Sequence, residues 1–283
     1  MSRFILVLAL AVAAQDMAPA APKLEGRAPA AGDRTEIKIE STIELDVVTR
    51  SLQDPDSAST KQLTYVRTME CTQTVQAGAD TGTPTWSVTC TTAKVQRSGT
   101  NIAPVTEASE IEGKSFVVTR TEKGRTVKME NGDVAPGDAA GLGAWEDCTK
   151  LLPTGEPKEG ATWTVDAAAV TSLISIPDLA APTGTFEAKL EKMADGQAVV
   201  FFSGTIEGKT VKGFDTKLKV AEGRLGFDMA KGRPTSLAIT GSLEASKDVN
   251  QKVSRSNELR QVDEKVGEVR VTSRKLEVKA EFR

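Results

Sequence analysis

The sequence predicts a mainly β protein: a curved antiparallel sheet or incomplete barrel, built from one or two β meanders, with a few short helices covering one face. Three observations predict it. From Thr35 onward, Ile37, Ile39, Ile43, Leu45 and Val47 hold one parity, with only Ser41 interrupting, while Glu36, Lys38, Glu40, Thr42, Glu44 and Asp46 hold the other. Side chains of a strand alternate faces, so this pattern is a strand buried on one side and wet on the other. Such alternation belongs to antiparallel sheets, because parallel strands are covered on both faces. Residues 183–283 repeat the behaviour, with turn dipeptides at short intervals. Near Arg274-Lys275 the apolar parity changes, from Val269 and Val271 to Leu276, Val278, Ala280 and Phe282. That slip predicts a bulge that bends a long strand.

The N-terminus reads as a signal peptide, residues 1–14. Arg3 precedes an apolar run of eleven residues, Phe4 to Ala14, and Val12-Ala13-Ala14 offers small residues for cleavage after Ala14. The run is too short for the ~30 Å of a bilayer core, so export is favoured over a membrane anchor. No later apolar run is long enough to span a membrane, and the mature chain is expected to be exported to the periplasm or beyond. Residues 15–34 are rich in Ala, Pro and charge and read as a flexible tether. Cleavage would remove Arg3 and no acid, leaving 35 Lys+Arg against 39 Asp+Glu, a net of −4. The expected surface is mildly acidic without a basic patch, which argues against nucleic acid or anionic lipid head groups as main partners.

The rest divides into an N-terminal β half (35–135), a helical joint (136–182) and a C-terminal β half (183–283), the halves being expected to form one continuous domain. In the joint, Asp138 is a candidate cap for a helix bearing Leu142, Trp145, Cys148 and Leu152, ended by Pro153. Asp166 is a candidate cap for Ala167–Ile174, with Val170 and Leu173 or Ile174 on one face. In the C-terminal half, Phe186, Ala188 and Leu190 alternate with Glu187, Lys189 and Glu191 before Asp195-Gly196, a tight hairpin turn with positive φ. Strands are expected over Val199–Ile206, Val211–Val220, Leu225–Met229 and Leu237–Leu243, separated by Glu207-Gly208, Glu222-Gly223 and Lys231-Gly232.

Cys71 and Cys90 flank a Gly/Asp/Thr/Pro-rich segment, and each sits in a run with strand character. A turn centred near Asp80-Thr81 would place them opposite one another, with Cα atoms ~4.5 Å apart and within disulfide range. An oxidising compartment makes the bond reasonable. Cys148, beside Trp145 on an apolar helix face, is expected to be inert packing.

Catalytic patterns are weak. The chain has no histidine, which removes imidazole bases, His-dependent triads and the usual zinc sites. Gly208-Lys209-Thr210 and Gly113-Lys114-Ser115 lack the earlier glycine of a phosphate loop, with Ser203 and Ala108 in its place, and both read as hairpin turns. Gly-x-Ser-x-Gly and Ser-x-x-Lys do not occur. Asp54-Pro-Asp56 lacks the glycine and distal glutamate of a calcium loop and reads as a solvated turn. The twelve aromatics are few for a sugar-stacking cleft. No metal and no cofactor is expected.

Residues 113–165 contain the hairpin GKSFVVTRTEKGRTVKMENG, a helix-like link and then LLPTGEPKEGATWTV. The stretch resembles a group of exported bacterial β-proteins of unknown function, planctomycete-type, with a helix followed by "LP…K-x-G-x-x-W". Leu152, Pro153, Lys158, Gly160 and Trp163 fill that pattern, and residues 221–241 are similar to the group's later strands. The resemblance covers about two-thirds of the mature chain. It implies a secreted, non-catalytic protein, with Pro153, Gly160, Trp145 and Trp163 as structural anchors, and it carries over no functional residue.

Two functional expectations follow. The first is a non-catalytic exported protein holding a hydrophobic small molecule, such as a lipid, in a curved-sheet cavity, the general plan of lipoprotein-carrier-like folds. The second is an envelope or extracellular module that binds another envelope protein and has no cavity. A carboxylate-based hydrolase stands third, because paired carboxylates can act without histidine.

Overall fold

The alternating run at the start of the ordered chain forms β1 (Arg34–Ser51), which in the computed structural model lies at the middle of a 12-stranded sheet. The structure describes residues 24–27, 30–54, 56–77, 83–121, 124–133, 135, 139, 141–174, 179–254 and 261–283. From β1 the chain steps outward through β2 (Ser59–Ala77), β3 (Thr85–Gly99), the short β4 (Ile102–Ala108), β5 (Lys114–Thr121) and β6 (Gly124–Met129). The segment after β6 leads to the opposite edge, where β7 (Thr162–Asp166) begins. The helix α1 (Ala167–Ile174) follows. Then β8 (Leu179–Ala194), β9 (Gln197–Thr210), β10 (Asp215–Asp228), β11 (Arg233–Ser254) and β12 (Gln261–Phe282) step back to the middle.

Every ladder is antiparallel. The two halves are therefore two meanders in one sheet, joined where β12 pairs with β1. With β6 at one edge and β7 at the other, the sheet is open and does not close into a barrel.

The inner face is set by parity. Ile37 lies opposite Phe282 and Cys71, Ile39 opposite Ala280 and Met69, and Ile43 opposite Leu276 and Tyr65. Directly opposed residues share a face, so all of these point the same way. Glu44 pairs with Lys275 and Leu45 with Ser273, leaving Arg274 as the extra residue of a bulge. The bulge swaps the parity of β12, so Val271, opposite Val47, stays on the inner face together with Leu276. A bent strand with its apolar side kept inward is the outcome expected from the phase slip.

Two expected strand breaks are corrected. β10 runs straight through Glu222-Gly223, with a bulge there. A Cβ on Gly223 would lie 2.3 Å from the Phe202 ring across the ladder, so this glycine makes room for an aromatic side chain. β9 likewise continues past Glu207-Gly208 to Thr210, and the turn falls later, at residues 211–214, with Gly213 at φ 83° and Val211 exposed. Asp195 and Gly196, both at positive φ, form the hairpin turn where expected.

The segment after β6 supplies the cover. A 3-10 helix over Ala144–Leu151 presents Trp145, Cys148 and Leu151 to the core. The sequence reading places Leu152 on that face with α-helical spacing; the tighter helix repeats every three residues and selects Leu151. It begins at Gly143 with no side-chain cap, and Asp138 lies outside the described residues, as do the signal peptide and the Asp80-Thr81 turn. α1 follows Asp166, burying Val170 and Leu173. The stretch read as a tether also contributes: Leu24 is 1% exposed and belongs to the core.

Candidate functional site: the inner face beneath the helical cover

The cover is fastened by polar contacts that are spread along the sequence. Trp145 donates Nε1 to Oε1 of Gln73 on β2 at 2.7 Å, and Gln73 donates Nε2 to Glu146. Asp147, buried, accepts from Arg120 Nη2 at 3.0 Å, Arg125 Nη1 at 3.2 Å and Lys150 Nζ at 2.9 Å. Trp163 donates Nε1 to the Leu151 carbonyl at 3.0 Å, tying the 3-10 helix to β7. Leu152 is extended before Pro153, as the proline ring requires, and ends the helix. Gly160, at φ 87°, donates its N–H to Leu190 O at 2.7 Å. Of the four residues expected as anchors, Trp145 lies in the 3-10 helix, Pro153 just after it, Gly160 in the turn before β7 and Trp163 on β7.

The cysteines behave in two ways. Cys71 and Cys90 are bonded across the β2–β3 ladder, with Cα atoms 4.0 Å apart. Cys148 is free and fully buried, and burial beside Glu146 and Asp147 pushes its thiol pKa far up. A thiol held protonated in the core is a poor nucleophile.

Between cover and sheet lies an apolar slot of about 70 Å³, bounded by Met69, Trp145, Leu237, Val278 and Phe282, with Ser41 and Arg67 at one end. This is far below the ~300–1,000 Å³ of pockets that enclose drug-sized ligands. Among the described residues the cover reaches no further along β1 than this slot. From Ser41 to Val48 every residue of β1 is half-buried, whichever way it points. Beyond the cover the inner face continues with Ile43, Leu45, Val47, Tyr65 and Val271, all half-buried.

At its other end the slot adjoins a cleft of about 250 Å³, sharing Trp145 and Phe282 with it. Arg27, Lys231 and Arg233 line this cleft together with Glu146 and Asp228, and Arg34 and Arg283 stand at its rim, their guanidinium groups paired with Glu36 and Glu281 on the outer face. The fold gathers them from four places. Arg34 starts β1 and Arg283 follows β12, neighbours because those strands are antiparallel. Arg27 donates its backbone N–H to Gly232 O at 2.9 Å, which seats the N-terminal segment on the β10–β11 turn. Arg233 is paired with Asp33. Its guanidinium pKa is lowered by desolvation and by the Arg27 charge. Lys231 lies 3.8 Å from Asp228, so the cleft is a mixed-charge junction that joins residues about 200 positions apart. No sequence signal short of knowing the β1–β12 pairing would have found it.

Burial pushes the Glu146 carboxyl above its ordinary value, its largest influence, while Gln73 and Arg120 pull the other way and Asp147 adds to the rise. On the outer face, an open groove of about 860 Å³ holds Glu207, Asp215 and Glu244 among Lys209, Lys217 and Arg270. Lys217 lies 2.7 Å from Glu207 and Lys209 lies 3.6 Å from Asp215, so these carboxylates serve solvent-exposed ion pairs. Gly208-Lys209-Thr210 closes β9 and is not itself a turn, while Gly113 at φ 72° leads Lys114-Ser115 into β5. Neither opens a helix that could cradle phosphate. Among the described residues there is no cluster of metal-ligating side chains and no helix long and apolar enough to cross a membrane.

No protein-family model matches the chain, and no curated protein matches it.

Proposed function

We propose that this is an exported, non-catalytic binding protein that holds a hydrophobic ligand against the inner face of its curved sheet. The observation that carries the reading is the half-buried apolar stripe from Ile39 to Val47 and across to Val271, of which the described residues of the helical cover meet only the first part. Apolar surface left half-covered on a curved sheet is where an apolar ligand gains most by displacing water. The disulfide agrees with an oxidising compartment outside the cytoplasm. Because the closed slot is only about 70 Å³, the ligand lies along the open part of the face and does not sit in a sealed cavity.

The small slot also supports a second reading, an envelope module that uses the same stripe to bind another protein. Native mass spectrometry of the protein from its own host, followed by organic extraction, separates them. A co-purifying lipid-like mass that is lost on extraction is the expected result. A ligand-free protein carrying a stoichiometric polypeptide partner would overturn the first reading in favour of the second.

A further inference from the structure

One arginine stands in the middle of the apolar inner face. β1 and β2 pair without a break in register, so Arg67, opposite Ser41, shares that face with Met69, opposite Ile39, and with Tyr65, opposite Ile43. On its other side Arg67 lies opposite Val95 of β3. It is half-buried at the end of the apolar slot, where its Nη2 lies 4.0 Å from the Sδ of Met69. A thioether is a weak acceptor and carries no charge. Among the described residues no carboxylate lies within ion-pair distance of Arg67. Glu107, which follows Val95 in the same row across the strands, is paired with Arg97. Lys61, opposite Val47, is also on this face but exposed, so water solvates its charge. A cation drawn partly out of water among apolar side chains costs free energy unless an anion meets it. Ser41, half-buried and directly across the ladder, adds a hydroxyl donor beside the guanidinium.

We infer that Arg67 and Ser41 form the head-group site for a long-chain fatty acid that lies along the inner face. Its carboxylate accepts from the Arg67 guanidinium and the Ser41 hydroxyl, and its acyl chain runs over Ile43, Leu45 and Val47 toward Val271. This names the class of the ligand for, and rests on, the proposal that the inner face takes a hydrophobic molecule. Charge selects the head group. One guanidinium compensates one negative charge, which is what a carboxylate carries, and its planar fork matches two carboxylate oxygens. Space sets the direction of the acyl chain. On the covered side of Arg67 the slot holds only about 70 Å³. On the open side, the half-buried stripe from Ser41 to Val47 extends about 20 Å at ~3.3 Å per residue, room for a long acyl chain.

Calorimetric titration of the exported chain with decanoate, decanol and acetate tests the inference. Decanoate is expected to bind at least about tenfold tighter than either of the others. Arg67→Leu keeps an apolar stem beside Met69 and removes the charge, a change that a half-buried site tolerates. It is expected to weaken decanoate about tenfold or more while leaving decanol unchanged. Arg67→Lys, which keeps the charge without the fork, is expected to retain part of the preference for decanoate. If Arg67 served only to cover Met69, Arg67→Leu would leave decanoate binding as it was, and that result would overturn the head-group site. Decanol binding as tightly as decanoate to the natural protein would overturn it too, and would leave the inner-face reading standing. Acetate binding as tightly as decanoate would overturn the path assigned to the acyl chain. If neither alkyl probe binds, both readings fall.

Discussion

Glu146 and Asp147 are adjacent carboxylates with opposite fates. Asp147 faces Arg120, Arg125 and Lys150 and is fully matched; Asp147→Ala would leave the largely buried Arg125 without its carboxylate, at a cost of about 1–3 kcal/mol in denaturant unfolding because the partners are partly screened by solvent, whereas loss of the half-exposed Lys150 leaves Asp147 two arginines and costs little. Glu146 has one amide partner, and burial raises its pKa above the ordinary value of 4.5. The sign of the consequence follows from linkage. Below about pH 4 the carboxyl is protonated both folded and unfolded, so it has no effect. As pH rises, the unfolded chain releases the proton first, and unfolding becomes easier until the folded carboxyl also ionises. Glu146→Gln should therefore match the natural protein in urea stability near pH 4 and exceed it increasingly toward neutral pH. A constant difference across that range would contradict the assignment. None of this was legible in the sequence, where the pair Glu146-Asp147 looks like two polar residues on a helix; the arginines that separate their behaviour come from β5 and β6.

At the scale of elements, the hairpin and the cover are where sequence reading succeeds and then stops. The Cys71–Cys90 pairing was readable because both cysteines lie in strand-patterned runs around a turn-rich stretch. Its loss through Cys71→Ser with Cys90→Ser should cost about 3 kcal/mol in denaturant unfolding, since the bond restricts the unfolded chain. The same protein offers a check on Cys148: unreduced, it should show no reactive thiol when native and one when unfolded, because the buried thiol is held protonated. The bulge at Arg274 was equally legible, since a parity slip has few other causes in a strand. Gly223 was not. A glycine after a glutamate reads as a turn, and only the Phe202 ring packed over it explains why β10 continues. Leu151 was missed for a related reason, as nothing local to the sequence distinguishes a 3-10 from an α repeat over eight residues.

For the whole molecule the decisive contact is β1 with β12, which brings Ile37 beside Phe282. It turns two meanders into one sheet and places Arg34 beside Arg283. Separated at the helical cover, fragments 24–135 and 141–283 would each expose a long strand, β1 or β12, as an unpaired edge, a template for aggregation. Each is expected to aggregate when produced alone, with regular antiparallel circular dichroism recovered only on co-folding; two independently folded, monomeric fragments would contradict the one-sheet architecture. Pairing across such a separation also predicts folding on the millisecond-to-second scale.

By itself the sequence determined the periodic properties: antiparallel strands, one apolar face, the bend in β12, the disulfide, and short helices between two β halves. Those follow from side-chain alternation and turn chemistry, which act between residues a few positions apart. Only the tertiary structure decided that the halves share one sheet, that the cover meets β1 beside Ser41, and that the N-terminal segment at Arg27 seats on the β10–β11 turn. These depend on which strands become neighbours, and strand pairing is set by the global packing of apolar faces, not by any residue's local preference.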